Sequence, residues 1–251
     1  MSRFGLSGSE APLWLQRILD LVFPPYCVAC RRVGAWLCAD CLAEVAPLDP
    51  SRCPTCGRAT PWPGICPSCR QTSSYLVGLY ALSAHRYPLR EAVHALKYQG
   101  VRVLAPLLGR LLAEYWQRQG AHVDLALPVP LHPRRERWRG YNQSCLLAAC
   151  FASNAGLPLG KGLLERTRET RAQVGLSAKE RWANMEGAFA VRAASQAAIV
   201  GQRVLLIDDV YTTGATLEAC AQALLHAGAE TVRALTLTRA LDDTDVVRNT
   251  F

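Results

Sequence analysis

RVLLIDDVYTTGAT, running from Arg203 to Thr216, decides how the rest of the chain is read. Val204, Leu205, Leu206 and Ile207 form an apolar run short and branched enough for a strand buried on both faces. Asp208 and Asp209 end it. Neighbouring side chains on a strand point to opposite faces, so both acids reach one ligand only if the chain leaves strand geometry there. Thr212, Thr213, Gly214, Ala215 and Thr216 follow, and then the helical pattern of Leu217 to His226. The order is strand, turn, helix N-terminus. Free amide N–H groups and the positive end of a helix suit a phosphate. Gly214 and Ala215 let the backbone approach it closely, and three Thr hydroxyls add donors.

The stretch is neither GxxxxGK[ST] nor GxGxxG. An apolar strand, Asp-Asp and TTGAT closely resemble the signature with which type I phosphoribosyltransferases bind 5-phosphoribosyl 1-pyrophosphate (PRPP). The resemblance implies a parallel α/β sheet flanked by helices. It implies that Asp208 and Asp209, the catalytic pair, contact the ribose hydroxyls, and that Thr212, Thr213, Gly214, Ala215 and Thr216 hold the 5′-phosphate.

With 251 residues, 50% of them hydrophobic, the chain is long enough for a sizeable core and a small extra domain. The net charge of +8 points to anionic partners, phosphorylated small molecules or nucleic acid. Between Leu131 and Arg181, ten Lys/Arg face four Glu, so most of the excess is local. The apolar stretch Ala11 to Phe23 is broken by Gln16, Arg17 and Asp20. It is too short and too charged to span a bilayer and reads as an amphipathic helix packed on its own protein. A cytoplasmic protein is expected.

After Pro24-Pro25, eight of the eleven Cys fall into four CxxC pairs: Cys27/Cys30, Cys38/Cys41, Cys53/Cys56 and Cys66/Cys69. A two-residue gap lets both thiolates of a pair turn to one metal. A disulfide framework does not suit a chain read as cytosolic, and four copies without a thioredoxin-like pattern argue against redox motifs. Eight ligands make two closed four-cysteine Zn²⁺ sites, structural because no coordination position is left open. Consecutive pairing gives two stacked ribbons and alternate pairing interleaves them; the spacing does not decide, although consecutive pairing is favoured.

Further along, Tyr75 to Ser83 is strand-like and Leu89 to Tyr98 helical, with Lys97 a dipole-facing cation at its end or, less expected, a cleft residue. Val103 to Arg118 is an amphipathic helix and Val123 to Val129 a second parallel strand. The basic run Leu131, His132, Arg134, Arg135 and Arg139 reads as a βα loop at the carboxyl edge of the sheet, before a helix from Ser144 to Ala155. Type I phosphoribosyltransferases use the equivalent loop for pyrophosphate, which needs dense donors. Arg166 to Phe189 reads as a charged segment where that fold carries a closing loop, Thr231 to Arg239 as a final strand, and the chain from Leu241 as a tail. Cys145, Cys150 and Cys220 read as inert thiols on apolar helix faces. No internal repeat is evident.

Four CxxC pairs, PVPLHPRR, RGYNQS, RTRETRAQVGLSAKERWANMEGAF and LLIDDVYTTGAT, in that order, resemble the ComF family. Tyr141 departs mildly, standing where Phe is more usual. The resemblance divides the chain into an N-terminal helix (1–23), a double zinc ribbon (24–72), a phosphoribosyltransferase domain (73–240) and a tail. It implies a link to competence and the handling of incoming DNA, with PRPP and Mg²⁺ as ligands. Two functions are compatible with it: phosphoribosyl transfer to an unknown acceptor with loss of pyrophosphate, or a PRPP or nucleotide sensor that binds single-stranded DNA or a DNA-processing protein. Gln173, Arg181 and Asn184 match the pattern without an assigned role.

Overall fold

A computed structural model describes residues 24–48, 52–60, 64–71, 74–168, 185 and 187–241. The expected N-terminal helix, the tail beyond Leu241 and most of the charged segment, with Gln173, Arg181 and Asn184, lie outside these residues.

The centre is a four-stranded parallel sheet of β1 (Gly78–Ala84), β2 (Leu125–Pro128), β5 (Arg203–Tyr211) and β6 (Thr231–Arg239), in the order β1-β6-β5-β2. The continuous apolar run of β5 follows from burial on both faces. Leu205 and Ile207 pack on one face with α3 (Leu89–Tyr98), α4 (Leu104–Gln117) and α6 (Gln143–Ala155). Val204 and Leu206 pack on the other with α7 (Ala215–His226). A small antiparallel pair, β3 (Leu164–Arg166) and β4 (Phe189–Val191), covers part of that second face. Among the described residues no helix is long and apolar enough to cross a membrane.

Two corrections to the sequence reading concern the backbone around the cleft. The chain does not leave strand geometry at Asp208 and Asp209, since β5 runs on to Tyr211. Both acids reach one cleft because β2 pairs with β5 only as far as Pro128↔Ile207, leaving one side of β5 uncovered beyond Ile207. The basic run is a short helix, α5 (Pro133–Arg139), rather than a loop. Pro133 stands at its first turn, the His132 ring accepts from the Arg134 amide, and Gly140 ends it at φ 79.

The N-terminal part is a repeat whose backbone matches more closely than its sequence beyond the cysteines. In the first ribbon Cys27 N–H donates to Arg32 and Arg31 N–H to Cys27; in the second Cys53 N–H donates to Arg58 and Gly57 N–H to Cys53. Bridges Tyr26↔Val33 and Arg52↔Ala59 occupy matching places. Arg31 and Gly57 share the left-handed conformation, at φ 66 and 67. A short helix follows each unit, α1 (Ala39–Ala43) and α2 (Pro67–Gln71). The chain between the ribbons covers the free edge of β1, with Leu48 N–H donating to Leu82 and Ser83 Oγ to Ala46.

Candidate functional site

A cleft of about 580 Å³ opens at the carboxyl ends of the strands, where open α/β sheets bind ligands. Asp208 and Asp209 lie on its floor. Asp209 is buried and pairs with Lys97 of α3 at 2.8 Å. Lys97, in the last turn of α3, is therefore a cleft residue, the less expected of its two readings. Burial works against its charge, but Asp209 wins and the ammonium is held more firmly protonated than an exposed lysine. Asp208 Oδ1 accepts from Ser144 Oγ at 2.7 Å and from the Asp209 amide at 2.9 Å. Its carboxyl is nevertheless pushed up to about 7, first by burial and then by the Asp209 charge.

Ser144 reaches Asp208 because α6 is firmly capped. Asn142 Oδ1 accepts from the Ser144 amide and Asn142 Nδ2 donates to Val129 O, each at 2.9 Å. Tyr141, the departure from the family pattern, donates its hydroxyl to the Leu96 carbonyl beside Lys97. Arg102 lies over its ring, 4.3 Å from the centroid. The hydroxyl thus ties the end of α3 to the segment that caps α6.

Opposite the acids, Thr212, Gly214, Ala215 and Thr216 line the cleft. Thr213 is not among the lining residues, and its hydroxyl is buried with no hydrogen-bond partner among the described residues. Gly214, at φ 84, is the N-cap of α7 with no side-chain cap, so the first-turn amides of a twelve-residue helix point at the cleft. A Cβ at Gly214 would stand 2.8 Å from Tyr211 Oη and 3.0 and 3.1 Å from ring carbons.

The basic helix forms the third wall. Leu131, Arg135 and Arg139 line the cleft; His132, occupied as the cap of α5, and Arg134 do not. Helical spacing makes that selection, since Arg135, Trp138 and Arg139 share a face of α5. Arg139 bonds Gln143 Oε1 and lies 5.3 Å from the centroid of Tyr98. The sequence reading missed Trp138, Tyr98, Gln143, Ser144, His85 and Arg166, all of which line the cleft. His85 Nδ1 is 2.8 Å from Thr238 Oγ1, and burial, then the Lys97 charge, hold its imidazole below the usual range. Arg166, in β3, is buried, with its guanidinium 5.5 Å from the centroid of Phe189.

The eight CxxC cysteines fall into two groups by consecutive pairing, Cys27/Cys30/Cys38/Cys41 and Cys53/Cys56/Cys66/Cys69, each with its sulfurs within 4.8 Å of one another. The Cys27–Cys41, Cys30–Cys38 and Cys56–Cys66 separations are 3.7, 3.6 and 3.7 Å. A tetrahedron with Zn–S bonds of about 2.3 Å has edges of about 3.8 Å, so both donor sets fit structural zinc. Cys38 N–H and Cys66 N–H donate to Cys27 and Cys53 Sγ at 3.4 and 3.3 Å, which favours thiolates. Cys27, Val28, Leu37 and Cys41 belong to the core shared with α3 and α4. Chelation is therefore expected to remove about two zinc per chain and to lower the thermal midpoint of the whole protein, since structural zinc contributes on the order of 10 kcal/mol per site. Elemental analysis with a melting curve checks this; a zinc-free protein with an unchanged melt would contradict it. Cys220 is fully buried, whereas Cys145 and Cys150 are only partly so.

A model of the double zinc ribbon domain matches residues 18–71, and one of the phosphoribosyl transferase domain matches residues 154–251. DNA utilization protein YhgH of Salmonella typhimurium is 34% identical over 231 residues, 88% of this chain and 100% of that protein. Competence protein F of Haemophilus influenzae is 38% identical over 117 residues, 47% of this chain and 51% of that protein. Competence protein ComFC of Bacillus subtilis is 26% identical over 212 residues, 81% of this chain and 84% of that protein.

Proposed function

Because the chain belongs to the ComF family, double zinc ribbon proteins with a phosphoribosyltransferase fold, we propose that it binds PRPP in this cleft and transfers the phosphoribosyl group to an acceptor with release of pyrophosphate. The observation that carries the reading is the convergence on one cleft of an acidic floor, a helix N-terminus capped by a glycine, and three arginines, Arg135, Arg139 and Arg166. In this reading Asp208 and Asp209 accept from the ribose hydroxyls, and the amides of the segment Thr212 to Thr216, with the hydroxyls of Thr212 and Thr216, hold the 5′-phosphate. Leu131, His132, Arg134, Arg135 and Arg139 form the pyrophosphate segment. Arg135 and Arg139 face the leaving group directly, while His132 holds the helix that carries them.

The bond from C1 of the ribose to the pyrophosphate oxygen breaks, its electron pair leaves with pyrophosphate, and an acceptor lone pair forms the new bond to C1. The protein contributes position and electrostatics rather than a single indispensable acid or base. Asp208 and Asp209 are hard oxygen donors suited to Mg²⁺, and Asp209 Oδ2 is buried without a hydrogen-bond partner among the described residues. Such an ion, when bound, offsets charge on the pyrophosphate. The test is pyrophosphate release from PRPP on addition of nucleobases, nucleosides and nucleotides. Release that depends on one of them supports transfer; binding of PRPP without release under any of them contradicts it.

The relatives named for DNA utilization and competence bring a role in DNA handling to this chain. A second reading, a PRPP or nucleotide sensor that also binds single-stranded DNA, is favoured by the lip of the cleft. Trp138 is 76% exposed among the arginines of α5, and Tyr98 is 58% exposed on the same wall. Bases stack on such rings for about 1–3 kcal/mol each, while arginines supply a salt-dependent term. Under this reading Trp138→Ala weakens DNA binding at every salt concentration, and Arg134→Ala with Arg135→Ala flattens the salt dependence. Titration of a fluorescent oligonucleotide over a salt series checks both. Affinity unmoved by salt and by Trp138→Ala would rule out this face.

A further inference from the structure

The second zinc ribbon is joined at two points to the structure that carries Thr212 to Thr216. Arg239 ends β6 and is 4% exposed. Its Nη1 donates to the carbonyl of Cys56, and its guanidinium carbon lies 5.2 Å from the centroid of the Tyr211 ring. That ring is the surface against which Gly214 is packed. A Cβ at Gly57, the residue after Cys56, would stand 2.9 Å from Arg239 Nη1, so the ribbon backbone closes directly on the guanidinium. The second point is Glu218, on the first turn of α7 and 8% exposed. Its carboxylate accepts from Ser74 Oγ at 2.5 Å and from the Tyr75 amide at 2.8 Å, in the segment that leaves the ribbon. The first ribbon docks elsewhere: its Cys41 Sγ meets Tyr87 Oη at 3.1 Å and its apolar residues pack with α3 and α4.

We propose that Arg239 and Glu218 are positioning residues through which the second four-cysteine site sets the geometry of the phosphate-binding loop. Zinc at Cys53/Cys56/Cys66/Cys69 and a sugar phosphate at Thr212 to Thr216 then stabilise one another. The proposal rests on the reading of that loop as the 5′-phosphate cradle. The physical link is short. Cys56 offers its sulfur to the metal and its carbonyl to Arg239, so a ribbon that loses its metal loosens one acceptor of a buried guanidinium. The guanidinium in turn backs the tyrosine on which the loop glycine rests. Glu218 fixes the other side, holding the first turn of α7 to the chain leaving the ribbon. Linkage of this kind is reciprocal, so it is measurable from the metal side without following any reaction.

The test is zinc retention by the full zinc-loaded chain, at equilibrium against a competing chelator, with and without PRPP or ribose 5-phosphate. The freed thiols are alkylated and read peptide by peptide, so the two sites report separately, and calorimetry on the same sample records whether the sugar phosphate binds. The expected result is that either ligand raises retention at Cys53/Cys56/Cys66/Cys69 by about fivefold or more and leaves Cys27/Cys30/Cys38/Cys41 unchanged. Arg239→Met removes the protection and Arg239→Lys restores part of it. Glu218→Gln, which retains the shape of the side chain, weakens the protection and serves where Arg239→Met does not fold. Ligand binding with no change at the second site, or with equal change at both, overturns this inference alone. Absence of ligand binding overturns the reading of the cleft, and this inference with it.

Discussion

Gly214→Ala is expected to abolish binding of any ligand held through a 5′-phosphate, while leaving the zinc content unchanged. Two costs fall on that residue together. Its φ of 84 is a left-handed conformation that costs a residue with a Cβ roughly 1–2 kcal/mol. The added carbon would also stand 2.8 Å from Tyr211 Oη and 3.0 Å from a ring carbon. Tyr211 cannot swing away cheaply. It is buried at the end of β5, its carbonyl accepts from the Ala240 amide, and Arg239 lies over its ring. The backbone at 214 must shift instead, and the first amides of α7 shift with it. Loss of two hydrogen bonds to a phosphate corresponds to about 3–6 kcal/mol, or a fall in affinity on the order of a hundredfold or more. Calorimetric titration with ribose 5-phosphate reads that loss. Near-parental affinity in a folded Gly214→Ala protein would mean that the loop does not hold the phosphate.

Among single substitutions, Lys97→Met carries the largest expected effect on stability. The Lys97 side chain is 20% exposed and that of Asp209 4%, so the pair is largely withdrawn from water. Replacing the ammonium by an apolar side chain of similar length leaves a buried carboxylate without its counter-charge, a change that costs about 3–5 kcal/mol. Asp209→Asn made in the same chain removes the stranded charge, so the double variant is expected to recover much of the loss. Chemical denaturation of the parent, both single variants and the double variant gives the coupling energy. Additive single effects would show that the two side chains do not act as a pair.

Much of this architecture was legible from local pattern. Leu89–Tyr98 and Thr231–Arg239 form the helix and strand that their periodicity describes, and Arg203–Thr216 folds as strand, turn and helix start. What was not legible depends on residues far apart in the chain. Lys97 near the end of a helix looks like a dipole cation until the fold brings Asp209 to it. Ser144 is an ordinary first-turn serine until it meets Asp208, 64 residues away. The basic run was misread for a local reason. Pro130, Pro133 and dense charge look like a loop, yet a proline at N1 and a glycine after the last turn are helix boundaries. Reading it as a loop also hid Trp138, whose place beside Arg135 follows only from helical spacing. The two ribbons share only their four cysteines as an evident side-chain pattern; the rest of what recurs is backbone hydrogen bonding and a left-handed residue after the second cysteine.

The floor of the cleft also trades stability for function. An unfolded aspartate titrates near 3.9, whereas folded Asp208 titrates at about 7. Between those values the folded chain holds a proton that the unfolded chain has lost, so stability falls as pH rises through that window. Asp208→Asn keeps an acceptor for Ser144 Oγ and the Asp209 amide and removes the repulsion from Asp209. The variant is therefore expected to melt at or above the parental temperature at pH 8, with the difference gone near pH 4.

That behaviour makes Asp208→Asn the right partner for the most direct test, a calorimetric titration of the zinc-loaded protein with PRPP and Mg²⁺ at pH 8. Saturable binding by the parent is expected, with a loss of at least roughly tenfold in a fully folded Asp208→Asn protein, the worth of one charged hydrogen bond or more. Equal binding by the two proteins, or no binding by the parent, would contradict the assignment of this cleft to PRPP.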